Sequence, residues 1–216
     1  MQRVAVVDYG MGNLRSVAKA LEHVADGGFE VLVTSDPETI AGADRMVFPG
    51  QGAIGDFMAA LGRLQLIETV RDALGEKPSL GLCVGQQALV DHSEEDGGTD
   101  ALGIFAGRVR RFPGDARDPE TGERLKIPHM GWNHVHFNRD HPLWEGIADG
   151  DRFYFVHSYY VQTDDPALVT GRTEYAVPFA SAIGHENVFA VQFHPEKSQR
   201  AGLRLLENFL DWDGVA

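Results

Sequence analysis

Cys83 lies between Gly81 and Gly85 in the run Gly81-Leu82-Cys83-Val84-Gly85, and it is the only cysteine among 216 residues. It follows a short, largely apolar stretch at 78–82. A thiol after a buried strand with a glycine on each side suits a nucleophile held on a tight strand-to-helix turn, much as G-x-S-x-G holds a serine. Attack on a carbonyl requires ionisation, which a helix N-terminus and a neighbouring histidine both favour. A helix over 84–90 is expected to supply the first, its amides pointing at the sulfur. The same five residues also suit a small, inert, buried cysteine. Far along the chain stands His194-Pro195-Glu196, after the apolar residues 188–193. Residues two apart on extended backbone point the same way. Glu196 could then fix the tautomer and orientation of His194 while the imidazole takes and returns a proton. Alone, His-Pro-Glu would read as a loop; in a chain with an elbow cysteine it becomes the second half of a triad.

Acyl chemistry further needs donors for a tetrahedral oxyanion. Pro49-Gly50-Gln51-Gly52 follows the strand expected at 45–48, and its backbone is expected at the carboxyl edge of the same sheet, where glycines let amides approach or flip. The Val84 amide is the other candidate donor. A plain Pro-Gly turn would use the same residues.

The elements that must position these groups follow from periodicity. Short β-branched or apolar runs at 3–7, 29–33 and 45–48 read as buried strands, and 14–25 reads as a helix through Leu14, Val17, Ala18, Leu21 and Val24, with Asn13 as its cap. A second helix is expected over 61–74. Strands and helices alternating at this spacing imply a parallel sheet with right-handed crossovers. From Leu102 the pattern turns strand-rich, at 103–112, 132–137, 152–156, 167–173, 177–183 and 188–191, with a polar loop at 113–123. This half is expected to continue the same domain with antiparallel or mixed strands. It closes on a helix at 198–210 whose stripe is Leu203, Leu206 and Leu210.

Composition narrows the field. A formal charge of −13, from 32 acidic and 19 basic residues, disfavours a nucleic-acid partner. No run approaches about 18 apolar residues, so no membrane span is expected. The first residues lack the apolar core of a signal peptide, and one cysteine makes no internal disulfide; both agree with a cytoplasmic protein.

With the loop, the elbow and Phe193-His194-Pro195-Glu196 in this order, the whole chain resembles the class I (triad) glutamine amidotransferases. More narrowly, it resembles the glutaminase subunits of imidazole glycerol phosphate synthases, from histidine biosynthesis. The residues that carry this are Asp8-Tyr9-Gly10-Met11-Gly12-Asn13-Leu14, Pro128-His129-Met130-Gly131-Trp132-Asn133, Phe155-Val156-His157-Ser158-Tyr159-Tyr160 and Gln192 to Ser198. The resemblance implies an α/β, flavodoxin-like, three-layer domain over residues 1–216, with a central, mainly parallel mixed sheet flanked by helices. It implies hydrolysis of glutamine to glutamate and ammonia through a Cys83 thioester, with His194 as acid and base and Glu196 behind it. Gln87, Glu95, Ser158 and Tyr159 match positions that bind or line the substrate pocket. The partner implied is a (β/α)8-barrel cyclase subunit, which receives the ammonia in a heterodimer. The loop bearing Asn13, together with Trp132, Asn133 and Lys197, is implied to face it. No cofactor or metal is implied.

Val84, Gln86 and Gln51 stand where the family usually has Leu, Met and Val, and Asp91-His92 is atypical for the helix expected there. Other readings are weaker. A dinucleotide fingerprint from Gly10-Met11-Gly12 fails because its third glycine would fall at Arg15. His129, His134 and His136 match no strong zinc spacing. Another synthase's glutaminase, such as that for anthranilate, a free-standing hydrolase with a similar triad and a non-catalytic binding subunit remain as alternatives.

Overall fold

The computed structural model describes residues 1–118 and 121–215; residues 119 and 120, inside the 113–123 loop, lie outside the described residues. The alternating pattern of the first third becomes β1 (Gln2–Val7), α1 (Leu14–Val24), β2 (Phe29–Thr34), α2 (Pro37–Ala41), β3 (Arg45–Gly50), α3 (Ile54–Arg63), α4 (Ile67–Glu76), β4 (Ser79–Cys83) and α5 (Val84–Gln87). Then follow β5 (Val90–Ser93), β6 (Thr99–Asp100), β7 (Phe105–Arg111), β8 (His129–His134), β9 (His136–Phe137), β10 (Arg152–His157), β11 (Tyr159–Thr163), β12 (Val169–Glu174), β13 (Pro178–His185), β14 (Val188–Val191) and α6 (Gln199–Asp211).

The main sheet has the order β2-β1-β3-β4-β14-β13-β12-β9. Its first five strands run parallel and the last three join antiparallel. One face packs on α1 and α6 through Val17, Leu21, Leu206 and Phe209. The other packs on α2 to α5 through Ile40, Phe57, Val70 and Val84. The strands of β3 and β4 are buried along their whole length, as parallel strands covered on both faces must be.

The strand-rich half departs from a simple continuation of that sheet. Only β9, β12, β13 and β14 join it; β8 pairs with β10 alone, and β11, β7, β5 and β6 form a separate four-stranded sheet. The strand expected at 132–137 is broken at Val135, whose amide and carbonyl go to Asp151 and Gly150.

The helices also correct the sequence reading. The expected helix 61–74 is two helices, parted at 64–66 where Gln65 has φ 57°. Gly55 and Gly62 mask the start at Ile54 by diluting the apolar period. The expected helix 84–90 stops at Gln87, and Val90 enters β5, which pairs with β7, while the carbonyls of Ala88, Leu89 and Val90 accept amides from residues 102–105. Asp91-His92 therefore lies in β5, not in a helix. Asn13 stands at the N-cap of α1 without capping it; its Oδ1 accepts from Ser16 Oγ. Leu203 is only half-buried, and the seam of α6 runs through Leu205, Leu206, Phe209 and Leu210.

Candidate active site

Register brings the site together. Gly50 lies opposite Cys83 on one side of β4, and Val191 lies opposite Leu82 on the other. The 50–52 loop and the His194 segment thus flank the nucleophile at the carboxyl ends of neighbouring parallel strands, where open α/β sheets form their sites.

Cys83 has φ 55° and ψ −111°, a left-handed conformation that a side chain rarely adopts. Such strain costs about 1–3 kcal/mol and persists only where packing enforces it. The enforcement is visible: a Cβ at Gly85 would lie 2.0 Å from the Phe48 carbonyl oxygen, and one at Gly50 would lie 2.4 Å from the Gly85 amide nitrogen. At Gly81 a Cβ would meet that of Ala190 at 2.9 Å. The helix after the elbow has only four residues, so it offers one turn of amides rather than the longer dipole expected from 84–90.

His194 Nδ1 lies 2.9 Å from Glu196 Oε1, with side-chain exposures of 8% and 2%. Glu196 gets there through the tight turn Pro195–Lys197, not by strand alternation. The His194 amide donates to the Tyr154 carbonyl, and its own carbonyl accepts from Ser198 Oγ at 2.6 Å, which fixes the ring's backbone. Burial opposes charge on His194, but the nearby Cys83 and Glu196 outweigh it and raise its pKa to about 10. His194 Nε2 has no aligned hydrogen-bond partner among the described residues. The nearby Cys83 sulfur, which raises the ring's pKa, is the group with which it would exchange a proton.

The oxyanion candidates are placed but not all free. Gln51 N–H donates to the Tyr9 hydroxyl at 3.0 Å, so this amide is already engaged. Tyr9 is buried against Phe57 at 4.7 Å between ring centroids, and burial pushes its phenol to about 12. Gly52 has φ 85°, and Val84 directly follows the elbow. Between these loops and the triad remains a cavity of about 20 Å³, lined by Tyr9, Gly12, Gly50, His194 and Glu196 among others. That is room for about one water. A cavity of about 990 Å³ opens between Arg111, Arg124, Lys126 and Tyr175, but it contains none of the reactive groups.

Of the expected substrate residues, Gln87 is buried and donates to the Tyr159 carbonyl at 3.1 Å. Glu95 Oε2 accepts the Ile54 amide at 2.9 Å, so it ties down the start of α3 just after the 50–52 loop. Burial, then the neighbouring Asp96 and Asp56, raise its pKa against that hydrogen bond. Glu95 is also close enough to Tyr159 to raise the phenol, after burial. Ser158 contributes its carbonyl to Phe112 N–H.

The expected partner-facing residues divide. Trp132 is 42% exposed and meets Tyr154 edge-on, and Lys197 Nζ lies over the same tyrosine ring at 5.9 Å. Asn13 is exposed beside the 50–52 loop. Asn133 instead turns its side chain inward, to the Glu174 carbonyl and His129 Nε2. Among the described residues no group of three or more His, Cys, Asp or Glu side chains could hold a metal, and no helix is long and apolar enough to cross a membrane.

Four residues that stand in the motifs quoted above, Tyr9, Gln192, His129 and His157, were given no role at the site by the sequence reading. Gln192 Nε2 donates to Cys83 Sγ at 3.6 Å, and the alternation that pairs residues 194 and 196 could have pointed to 192. Nothing local gives the other three a contact at the site.

Three buried histidines have consequences for stability. Burial lowers His129 and His141 to about 4 and His157 to about 3. The unfolded chain binds protons at these rings near 6.5, so their contribution is complete above that pH. It falls by up to about 1.4 kcal/mol per ring and pH unit as the pH drops toward 4. Thermal melts from pH 7 to pH 5 should show a steady fall in Tm, and a flat profile would contradict neutral burial. His194 acts with the opposite sign, with its full contribution present below 6.5 and lost progressively as the pH rises from there through about 10.

Comparisons agree with this geometry. The family model described as Glutamine amidotransferase class-I matches residues 5–212. The imidazole glycerol phosphate synthase subunit HisH of Dechloromonas aromatica is 61% identical, over 98% of this chain and 97% of its own. The protein of the same description from Pseudomonas putida is 58% identical over 99% of each chain. In fold, a solved glutamine amidotransferase matches with a TM-score of 0.70 at 18% identity, over 96% of this chain and 97% of its own. A second, from Thermotoga maritima, matches with a TM-score of 0.61 at 18% identity, over 97% and 83%. The matched span contains the elbow, the 50–52 loop and the His194-Glu196 pair, and the chain belongs to the class-I glutamine amidotransferase family, in the branch of the imidazole glycerol phosphate synthase subunit HisH.

Proposed function

We propose that this protein is the glutaminase subunit of an imidazole glycerol phosphate synthase, with Cys83 as nucleophile and His194 and Glu196 completing the triad. The observation that carries the proposal is the buried His194–Glu196 pair at 2.9 Å set beside a strained elbow cysteine. The Cys83 sulfur attacks the carboxamide carbon of glutamine while its proton passes to His194. The tetrahedral oxyanion is held by backbone amides of the 50–52 loop and Val84. His194 returns the proton to the leaving nitrogen, ammonia departs, and a glutamyl thioester remains. Water, deprotonated by His194, then attacks the thioester; the C–S bond breaks, the sulfur regains a proton, and glutamate leaves. An imidazole whose pKa is raised by its neighbours takes the thiol's proton readily and keeps it for delivery to the leaving nitrogen. Gln87, Glu95, Ser158 and Tyr159 border the glutamine.

The ammonia goes to a (β/α)8-barrel cyclase subunit, where phosphoribulosyl-formimino aminoimidazole carboxamide ribotide becomes imidazole glycerol phosphate and the carboxamide ribotide. The relatives' description as a synthase subunit supports a partner, and exposed Trp132, Lys197 and Asn13 are its candidate contacts. Hydrolysis is conditional in this reading: a Gln51 amide bonded to Tyr9 is not available to an oxyanion, and the partner with its ligand releases it.

Glutamate release should be weak for the free subunit and strongly stimulated by the cyclase subunit with acceptor bound. Equal turnover in both states would count against the coupled reading. Tyr9→Phe keeps the ring packing but removes the hydroxyl, a loss of about 1 kcal/mol that should raise partner-free turnover about fivefold. Unchanged turnover in that variant would show that Tyr9 does not restrain the loop.

A further inference from the structure

The carbonyl of Tyr159 can only accept hydrogen bonds, and that fact orients a run of buried polar groups ending at the nucleophile. Two donors meet this oxygen: His157 Nδ1 at 2.8 Å and Gln87 Nε2 at 3.1 Å. Gln87 Nε2 also lies 3.0 Å from Gln192. Because it faces that contact with N–H, Gln192 must present Oε1 to it. The remaining end of the Gln192 carboxamide, Nε2, is then the one that faces Cys83 Sγ at 3.6 Å. On the other side, His157 carries its proton on Nδ1, so its Nε2 accepts from His129 Nδ1 at 2.9 Å. His129 Nε2 in turn accepts from Asn133 Nδ2 at 3.2 Å, and Asn133 is anchored on the Glu174 carbonyl at 2.9 Å.

We propose that Gln192 is a positioning residue for the nucleophile: its carboxamide N–H holds the Cys83 sulfur, in an orientation enforced through Gln87 by the Tyr159 carbonyl and the His157–His129 pair behind it. This rests on the reading of Cys83 as the glutaminase nucleophile.

The physical grounds are burial and donor polarity. Gln192 is fully buried, and Gln87, His129 and His157 are nearly so. A reversed carboxamide at 192 would set N–H against N–H at Gln87 and turn an oxygen lone pair on the sulfur, and both contacts are buried, where such mismatches cost most. A donor to sulfur favours the charged form that attacks and fixes the line of approach. The two rings keep the Tyr159 carbonyl in place only while neutral, since a proton on His157 Nε2 would face the His129 N–H at 2.9 Å and one on His129 Nε2 would face the Asn133 N–H at 3.2 Å. Stacking of His129 on Phe155 and Tyr175, at 4.9 and 4.1 Å between centroids, holds that ring in register.

Two variants separate this role from simple packing. Gln192→Met and Gln192→Leu keep most of the volume and remove the donor without placing a charge or an acid proton beside the sulfur. The readouts are the pH profile of Cys83 alkylation by iodoacetamide, kcat and KM for glutamine with the cyclase subunit, and Tm. Both variants should shift the alkylation profile upward by about one pH unit. They should lower kcat about tenfold or more, with KM changed by less than about threefold. Wild-type alkylation profiles and wild-type kcat in a folded variant would overturn the proposal. If Gln192→Met fails to fold, Gln192→Leu decides. Alkylation needs no substrate, so it tests Gln192 even if the wild-type complex fails to hydrolyse glutamine, a result that would sink the glutaminase reading instead.

Discussion

Cys83→Ala is expected to lower glutamine hydrolysis by about 10⁴-fold or more, with and without the partner subunit, while the protein remains folded. No other cysteine exists to replace it, and His194 and Glu196 have nothing to activate without the sulfur. A residual rate above about one per cent of wild type would place the nucleophile elsewhere. The same position tests whether strain is stored at the elbow. Alanine keeps a Cβ in the conformation with φ 55°, whereas glycine relieves it. Relief of strain outweighs the extra unfolded-chain entropy of glycine, so Cys83→Gly should be inactive yet more stable than Cys83→Ala by about 1 kcal/mol. Thermal melts of the two inactive variants, compared directly, isolate this backbone effect from the lost thiol. A less stable glycine variant would mean that the elbow is relaxed.

Gly85→Ala should be among the most damaging single-methyl substitutions in the protein, costing about 3 kcal/mol or more in stability and nearly all hydrolysis. Its new Cβ would lie 2.0 Å from the Phe48 carbonyl oxygen, at the buried end of β3 where neither backbone has room to give. Gly50, on the same strand, already touches the Gly85 amide in a way that admits no side chain. Any relief must separate β3 from the elbow, which pulls the 50–52 loop away from Cys83. Gly75→Ala makes the control, because that exposed residue of α4 has nothing within 4 Å of a new Cβ. It should be neutral or stabilising by up to about 1 kcal/mol. Denaturant midpoints and glutamate release measure both effects, and a Gly85→Ala protein that unfolds like wild type would show that close backbone approach is not what this glycine serves.

How far the site was legible depends on the distance over which each signal acts. Cys83 with its two glycines and His194-Pro195-Glu196 are local patterns whose chemistry follows from residue type. The parallel strands β1, β3 and β4 were equally readable, because strands buried on both faces are short apolar runs, whereas β2, expected as a buried strand, is a half-buried edge strand read from its Phe, Val and Leu residues. The α3–α4 pair was not: Gly55 and Gly62 blur its start, and the break at Gln65 leaves no clear mark. The helix expected at 84–90 failed because a tertiary choice, the pairing of β5 with β7 from Val90 onward, overrode a helical pattern. The separate sheets of the second half were hidden for a similar reason, since strand-like runs do not name their partners.

By itself, the sequence determined which groups carry the chemistry: a lone elbow thiol, a histidine with its carboxylate, and a glycine-bearing loop, each a matter of residue type and short spacing. Tertiary structure alone decided how those groups stand. Register set Gly50 and Val191 on either side of the end of β4, and packing held Cys83 in a left-handed conformation. It also committed the Gln51 amide to Tyr9 and brought Gln192 to the sulfur across 109 residues of chain. Hydrogen-bond partners are chosen by proximity in a buried core, where each donor must find an acceptor, and proximity between distant segments is a property of the folded chain.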